Sequence, residues 1–340
     1  MTISNITRLP LFILISISGS LSAQSVETPI YEQSASAIKE SQEEIIQKAL
    51  LVREKISAIS KEEIDKQLLE PVPEPIKLAP AFTKELSSEE IAAHARKSNL
   101  RVGYCYKCKH CDHWHINLAG GYAIAPNVIA TCDHVLATKT KMKDGFLVAF
   151  DYEGNIACAV AILAHSATMD VAIIKVAGAS FTPVPLNSDV KQGSSSYCFS
   201  YPLSQQGYFS TGIVNRFFWN KKYQGEDKNS IDALCHLRVN FSNDWAPGSS
   251  GSPLFDDAGN VIGHVSTISS LGNKADQPSM ITLHEGIPAR NLQKLAATLK
   301  DPCEISRLAN FKAEETPKLE ETPKAEDTPK VEEALKEKGE

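Results

Sequence analysis

The chain has 340 residues, enough for two average domains or for one double-barrel unit with extensions. Its formal net charge is -6 and its Lys and Arg residues are scattered, so no nucleic-acid partner is expected. Hydrophobic residues make up 42%, which suffices for an ordinary buried core.

In chain order, Arg8, the apolar run 9–17 and the small residues after it read as an export signal cleaved after Ala23. The alternative is a retained anchor. The run is too short to span a bilayer securely, so no stable membrane span is expected after cleavage. The expected location is periplasmic or secreted. Residues 24–99 read as a helical extension and linker. Ile38, Ile45, Ala49, Val52, Ile56 and Ile59 follow three-four spacing. That pattern fits either a coiled-coil-like seam, and so a homo-oligomer through this helix, or a single amphipathic helix lying on the body of the protein. Pro71, Pro73 and Pro75 make a stiff extended linker. Ser87 or Ser88 is expected to cap a short helix to about Lys97, with Glu90 in support.

From Leu100 to Ala289 short β-rich runs alternate with Gly, Pro, Asn and Asp turns. Runs 146–150, 156–164, 171–176, 212–219 and 234–241 are examples, and their spacing predicts an all-β barrel or sandwich. Residues 289–299 read as a closing helix. Residues 301–340 carry three Thr-Pro-Lys repeats, with too few apolar residues to bury a core, and are expected to be disordered.

Two constellations carry chemistry. Cys105, Cys108 and Cys111 are followed closely by His113 and His115. Cys105, Cys108, Cys111 and His113 could form a structural zinc site, with His115 as the alternative imidazole. Disulfide pairing is the other reading, because the chain has eight cysteines and an export signal. The second constellation centres on Gly248-Ser249-Ser250-Gly251-Ser252-Pro253, a tight turn entering an apolar hairpin. Glycines on both sides of Ser250 let the backbone bend sharply and aim N–H groups at a ligand. Upstream, His134 follows an apolar strand and Asp170 precedes another. The chain order His, Asp, Ser is that of the chymotrypsin-type triad.

On these motifs residues 100–300 resemble a trypsin-like serine peptidase of the HtrA/Deg-like branch. Residues 121–131 are similar to that family's strand pair leading to the histidine, and Ser210-Thr211-Gly212-Ile213-Val214 to a later strand. Ser200 and Ser252 stand where the family usually has glycine. The resemblance implies two six-stranded antiparallel β-barrels, about 100–185 and 186–288. It implies polypeptide substrates and no cofactor for catalysis. Ser250 would be the nucleophile, His134 the base and Asp170 its orienting acid, with the N–H groups of Gly248 and Ser250 as the oxyanion hole. Ser249 and Ser252 are rival hydroxyls, and the resemblance favours Ser250. Asp244, six residues before Ser250, would be the acid of a substrate pocket bordered by Ser266 and Ile268. About 40 residues follow the closing helix, too few for the PDZ domain that many such proteins carry. Two functions fit: an exported serine endopeptidase, or a catalytically inactive barrel that binds peptides or partners.

Overall fold

A computed structural model describes residues 35–138, 141–205, 207–271 and 281–305, with side chains from Ser41 onward. The expected export signal and the Thr-Pro-Lys repeats lie outside these residues. Among the described residues the β-rich runs close into two antiparallel six-stranded barrels. The first comprises β1 (Asn99–Cys108), β2 (Trp114–Ala125), β3 (Val128–Thr131), β4 (Met142–Phe150), β5 (Ile156–Ser166) and β6 (Val171–Ala177), in spatial order β1-β2-β3-β6-β5-β4. The second comprises β7 (Ser195–Ser200), β8 (Tyr208–Trp219), β9 (Leu237–Phe241), β10 (Pro253–Phe255), β11 (Val261–Leu271) and β12 (Ile281–Pro288), in order β10-β11-β12-β9-β8-β7.

Alternating apolar positions fill each barrel. Leu100, Val102, Ile129 and Ile174 pack inside the first, and Val214, Val239, Leu254 and Ile262 inside the second. A third cluster joins the barrels: Ile124 and Ile173 meet Phe199, Phe255 and Ile287. Two helices contribute to this seam. One is α3 (Ser88–Ser98), through Ile91 and Ala95, and the other is α6 (Ala289–Thr298), through Leu292 and Leu295. Each of the larger side chains contributes roughly 1.5–3 kcal/mol when fully buried, so the seam holds the two halves of any site between them. Ser87 caps α3 in a full capping box with Glu90, as its sequence predicts.

Helix α1 (Ala35–Lys55) lies on the first barrel. Ile46 and Ala49 bury against Phe146, Val148, Phe150 and Cys158, with Ile45, Val52 and Ile56 packed around them. Arg53 forks onto Asp144 with two bonds of 2.8 Å and lies over the Phe146 ring. The apolar face of the helix from Ile45 to Ile56 is therefore covered by the protein's own barrel. Helix α2 (Lys61–Gln67) follows, capped by Ser60. The proline-rich linker then runs across both barrels: the Val72 N–H donates to Ile162, and Phe82 exchanges bonds with the Asn260 side chain.

Two expectations need correction. The run 234–241 is not one strand: helix α5 (Ile231–His236), whose N-cap Ser230 accepts from the Ala233 N–H, takes up its first three residues before β9 begins. The segment 301–305, expected to open the disordered tail, is ordered, because Cys303 is bonded to Cys235 and buried.

Candidate active site

Between β3 and β4 the chain makes a single helical turn, α4 (Asp133–Leu136), which holds His134 at the edge of the first barrel with its side chain about half exposed. Asp170 immediately precedes β6 and has a φ of 58°. Left-handed backbone is uncommon outside glycine, and Asp is among the residues that tolerate it best. Three donors converge on its carboxylate. His134 Nδ1 lies 2.9 and 3.0 Å from the two oxygens, the His134 backbone N–H donates at 3.1 Å, and Ser266 Oγ donates at 2.5 Å. A carboxylate only accepts, so Nδ1 carries the proton and Nε2 is left as the basic nitrogen. Burial opposes ionisation of Asp170, but the bonds and charge of His134, with Ser266, outweigh it and hold the carboxyl well below its usual range. Burial also lowers the His134 pKa, but the Asp170 bond and charge, with Asp133, outweigh it and raise the pKa above the ordinary imidazole value.

The Ser250 loop belongs to the second barrel and reaches the first. Its backbone is tied by Gly120 N–H to Ser250 O and by Gly251 N–H to Val265 O, both 2.7 Å. Gly248 and Gly251 have φ values of 101° and 81°. A Cβ on Gly251 would come within 2.4 Å of Gly120 O and Thr131 Oγ1, so the turn requires glycine there. The three serines are not equivalent. Ser249 and Ser252 are fully buried with hydroxyls that have no partner among the described residues, whereas Ser250 is half-buried. Ser250 lines a cleft of about 190 Å³ together with His134, Gly248, Val135, Tyr104 and Leu118. Among the described residues, neither the Gly248 nor the Ser250 N–H donates to a backbone carbonyl. The Ser250 hydroxyl donates to Ser266 O at 3.4 Å rather than to His134.

Of the three expected pocket residues, Ser266 adjoins Ser250 and the other two are at the surface. Asp244 is exposed and outside the cleft lining, and its backbone bonds Ser210 Oγ. Trp245 beside it turns inward, and Ile268 is exposed. Ser266 donates to the Asp170 carboxylate through Oγ, and its carbonyl accepts from the Ser250 hydroxyl. Two groups behind the site were not anticipated from the sequence. His264 is buried, accepting from Tyr122 OH at Nδ1 and donating from Nε2 to Asp170 O, both at 3.2 Å. Burial pushes its pKa down to about 4, so it stays neutral at neutral pH. Cys132 lies close to His134 and Asp170, but burial and the Asp170 charge push its thiol pKa well up, so it remains protonated. A histidine inside the apolar run 261–265 was the one available signal for the first of these.

The cysteine cluster also rearranges. Cys105 is buried against Phe146 and Cys158 beneath α1, away from the others. Cys108, Cys111 and His115 come together, and His113 is exposed. A zinc set of Cys105, Cys108, Cys111 and His113 is therefore not assembled, because Cys105 and Cys108 sit at odd and even positions of β1 and face opposite sides.

Residues 119–263 match the family model described as a trypsin-like peptidase domain, a span containing His134, Asp170 and Ser250. Comparison with curated protein sequences gave no match. The match covers under half of the chain, and with the two closed barrels it makes this region similar to a trypsin-like peptidase domain.

Proposed function

We propose that the chain is an exported serine endopeptidase that cleaves peptide bonds through an acyl-enzyme on Ser250. One observation carries the reading above the rest: the Asp170 carboxylate bonded to Nδ1 of His134, in a cleft that also presents the Ser250 hydroxyl. On this reading Ser250 Oγ attacks the peptide carbonyl carbon while His134 Nε2 takes its proton. Asp170 keeps the imidazole in the right tautomer and stabilises the imidazolium. The N–H groups of Gly248 and Ser250 receive the oxyanion. When the intermediate collapses, the C–N bond breaks and the imidazolium proton passes to the leaving amine. Water then attacks the ester by the same route. Export rests on the sequence around Arg8 and residues 9–17. The exposed Asp244 lends no support to a basic-residue pocket.

The long Ser250 bond to Ser266 O favours a second reading, a barrel that binds peptides without cleaving them. Catalytic hydrogen bonds are often loose without substrate and tighten in its complex, so the peptidase reading stands ahead. Acid quenching during turnover of an activated ester decides between them. The peptidase reading predicts an acyl group on Ser250, lost in Ser250→Ala with the folded spectrum retained. A folded wild type that neither acylates nor turns over would favour the binding module.

A further inference from the structure

We propose that the tip of the β1–β2 hairpin is a site for a borderline-soft divalent metal, zinc in type, bound by the thiolates of Cys108 and Cys111 and by Nε2 of His115. Cys108 ends β1, Cys111 sits in the connecting loop, and His115 is the second residue of β2. The two sulfurs are 3.1 Å apart, and Cys111 Sγ lies 3.0 Å from His115 Nε2. All three donors fall within 4.8 Å of one another. With metal–sulfur bonds of about 2.3 Å and a metal–nitrogen bond of about 2.0 Å, a tetrahedral centre separates such donors by roughly 3.5–3.8 Å. The two close pairs, Cys108 with Cys111 and Cys111 with His115, therefore need to open by less than an ångström. Two thiolates and an imidazole are a zinc donor set, and carboxylate-preferring metals are poorly matched to it.

Independent contacts already hold this geometry. The Tyr106 ring lies against His115, with centroids 5.5 Å apart, and Tyr106 is the strand partner of His115. Lys143 donates to Asp112 at 3.1 Å, tying the loop to β4. A disulfide between Cys108 and Cys111 would use the two sulfurs but leave His115 Nε2 without its sulfur partner. Metal binding uses all three, releases one proton from each thiol to solvent, and leaves the fourth position to water. The same strands continue into the cleft, where Gly103 and Tyr104 of β1 and Asn117, Leu118 and Ala119 of β2 form one wall. The metal would thus fix that wall, a consequence that rests on the peptidase reading.

The test uses the full chain carrying Ser250→Ala, reduced and freed of reductant without air, so that no activity is required. Titration with Co(II) should give one equivalent with thiolate charge-transfer and tetrahedral d–d bands, displaced by Zn(II). Cys108 and Cys111 should resist alkylation until a chelator is added. His115→Ala should weaken Zn(II) binding by at least about tenfold, while His113→Ala should leave it within threefold. Absence of the Co(II) bands, or equal losses in the two histidine variants, would overturn the site. So would thiols in protein purified without reductant that yield to reductant but not to chelator, since that is a disulfide. With Ser250 intact, chelation should raise KM at nearly constant kcat. An unchanged KM would overturn the coupling to the cleft, and the spectra would still decide the site.

Discussion

The disulfide between Cys235 and Cys303 closes a loop with a sequence separation of 68 residues, and its removal has a calculable effect. In the chain-entropy relation a loop of that length takes about 15 cal/mol/K from the unfolded chain, or about 4 kcal/mol at 25 °C. Cys235→Ala with Cys303→Ala should destabilise the protein by at least that much, because both positions are buried. For a body of this size each kcal/mol shifts Tm by roughly 2–4 °C, so a fall on the order of 10 °C is expected. The bridge also lies under the turn that carries Asp170. Cys303 Sγ is 3.4 Å from Ser166 Oγ, which accepts from the Met169 N–H next to Asp170. Packing there survives in the folded state, so kcat/KM well below Tm should stay within a few-fold. Thermal and urea unfolding of oxidised, reduced and variant protein, followed by circular dichroism, measure the loss. A midpoint shift worth less than about 1 kcal/mol would refute the loop argument. Lost activity at full stability would show instead that the bridge shapes the site.

Asp170→Asn should lower kcat by about 10⁴ with little change in KM, since the amide offers an N–H toward donors that now meet a carboxylate and disfavours the useful imidazole tautomer. Because Asp170 raises the His134 pKa and the neutral imidazole is the base, the acid limb of kcat/KM should lie above the ordinary imidazole value and move to lower pH in that variant. A pH–rate profile with the same limb in both proteins would separate the two residues. The same raised value makes the His134 contribution to stability full below the unfolded imidazole pKa and lost as pH rises through the folded one, measurable as a pH-dependent urea midpoint absent in His134→Ala. Gly120→Ala should lose stability by roughly 1–3 kcal/mol or more through overpacking, because its Cβ would sit 2.1 Å from Ser252 Oγ and 2.6 and 2.8 Å from Ser252 N and Cα. Adding Ser252→Gly removes only the first of these contacts, so unfolding midpoints should show incomplete rescue.

The barrels were legible because period-2 alternation and turn chemistry are local. The Asp256 side chain accepting from Ala258 and Asn260 N–H groups, at 3.0 and 2.8 Å, makes the expected hairpin turn. Leu234 to His236 misled because a serine cap four residues back and a distant cysteine decide that stretch, and a window of apolar residues contains neither. The histidine and aspartate were readable from their strand contexts. The second support of Asp170, Ser266, and the buried His264 behind it depend on how two barrels face each other, which no local pattern records. The place of Ser252 became intelligible only with its neighbour, since Gly120 leaves the space that its side chain occupies. In the cysteine cluster the spacing pointed to the hairpin where Cys108, Cys111 and His115 meet, and strand parity separates Cys105 from Cys108.

The central claim is that Ser250 is a serine activated by His134 and Asp170. Its most direct test is reaction of the folded protein with a fluorophosphonate, followed by peptide mapping of the adduct. The account predicts one phosphonyl group per chain, on Ser250, absent in Ser250→Ala and formed far more slowly in His134→Ala. An adduct on Ser249 or Ser252, or a folded protein that takes up no label, would contradict it.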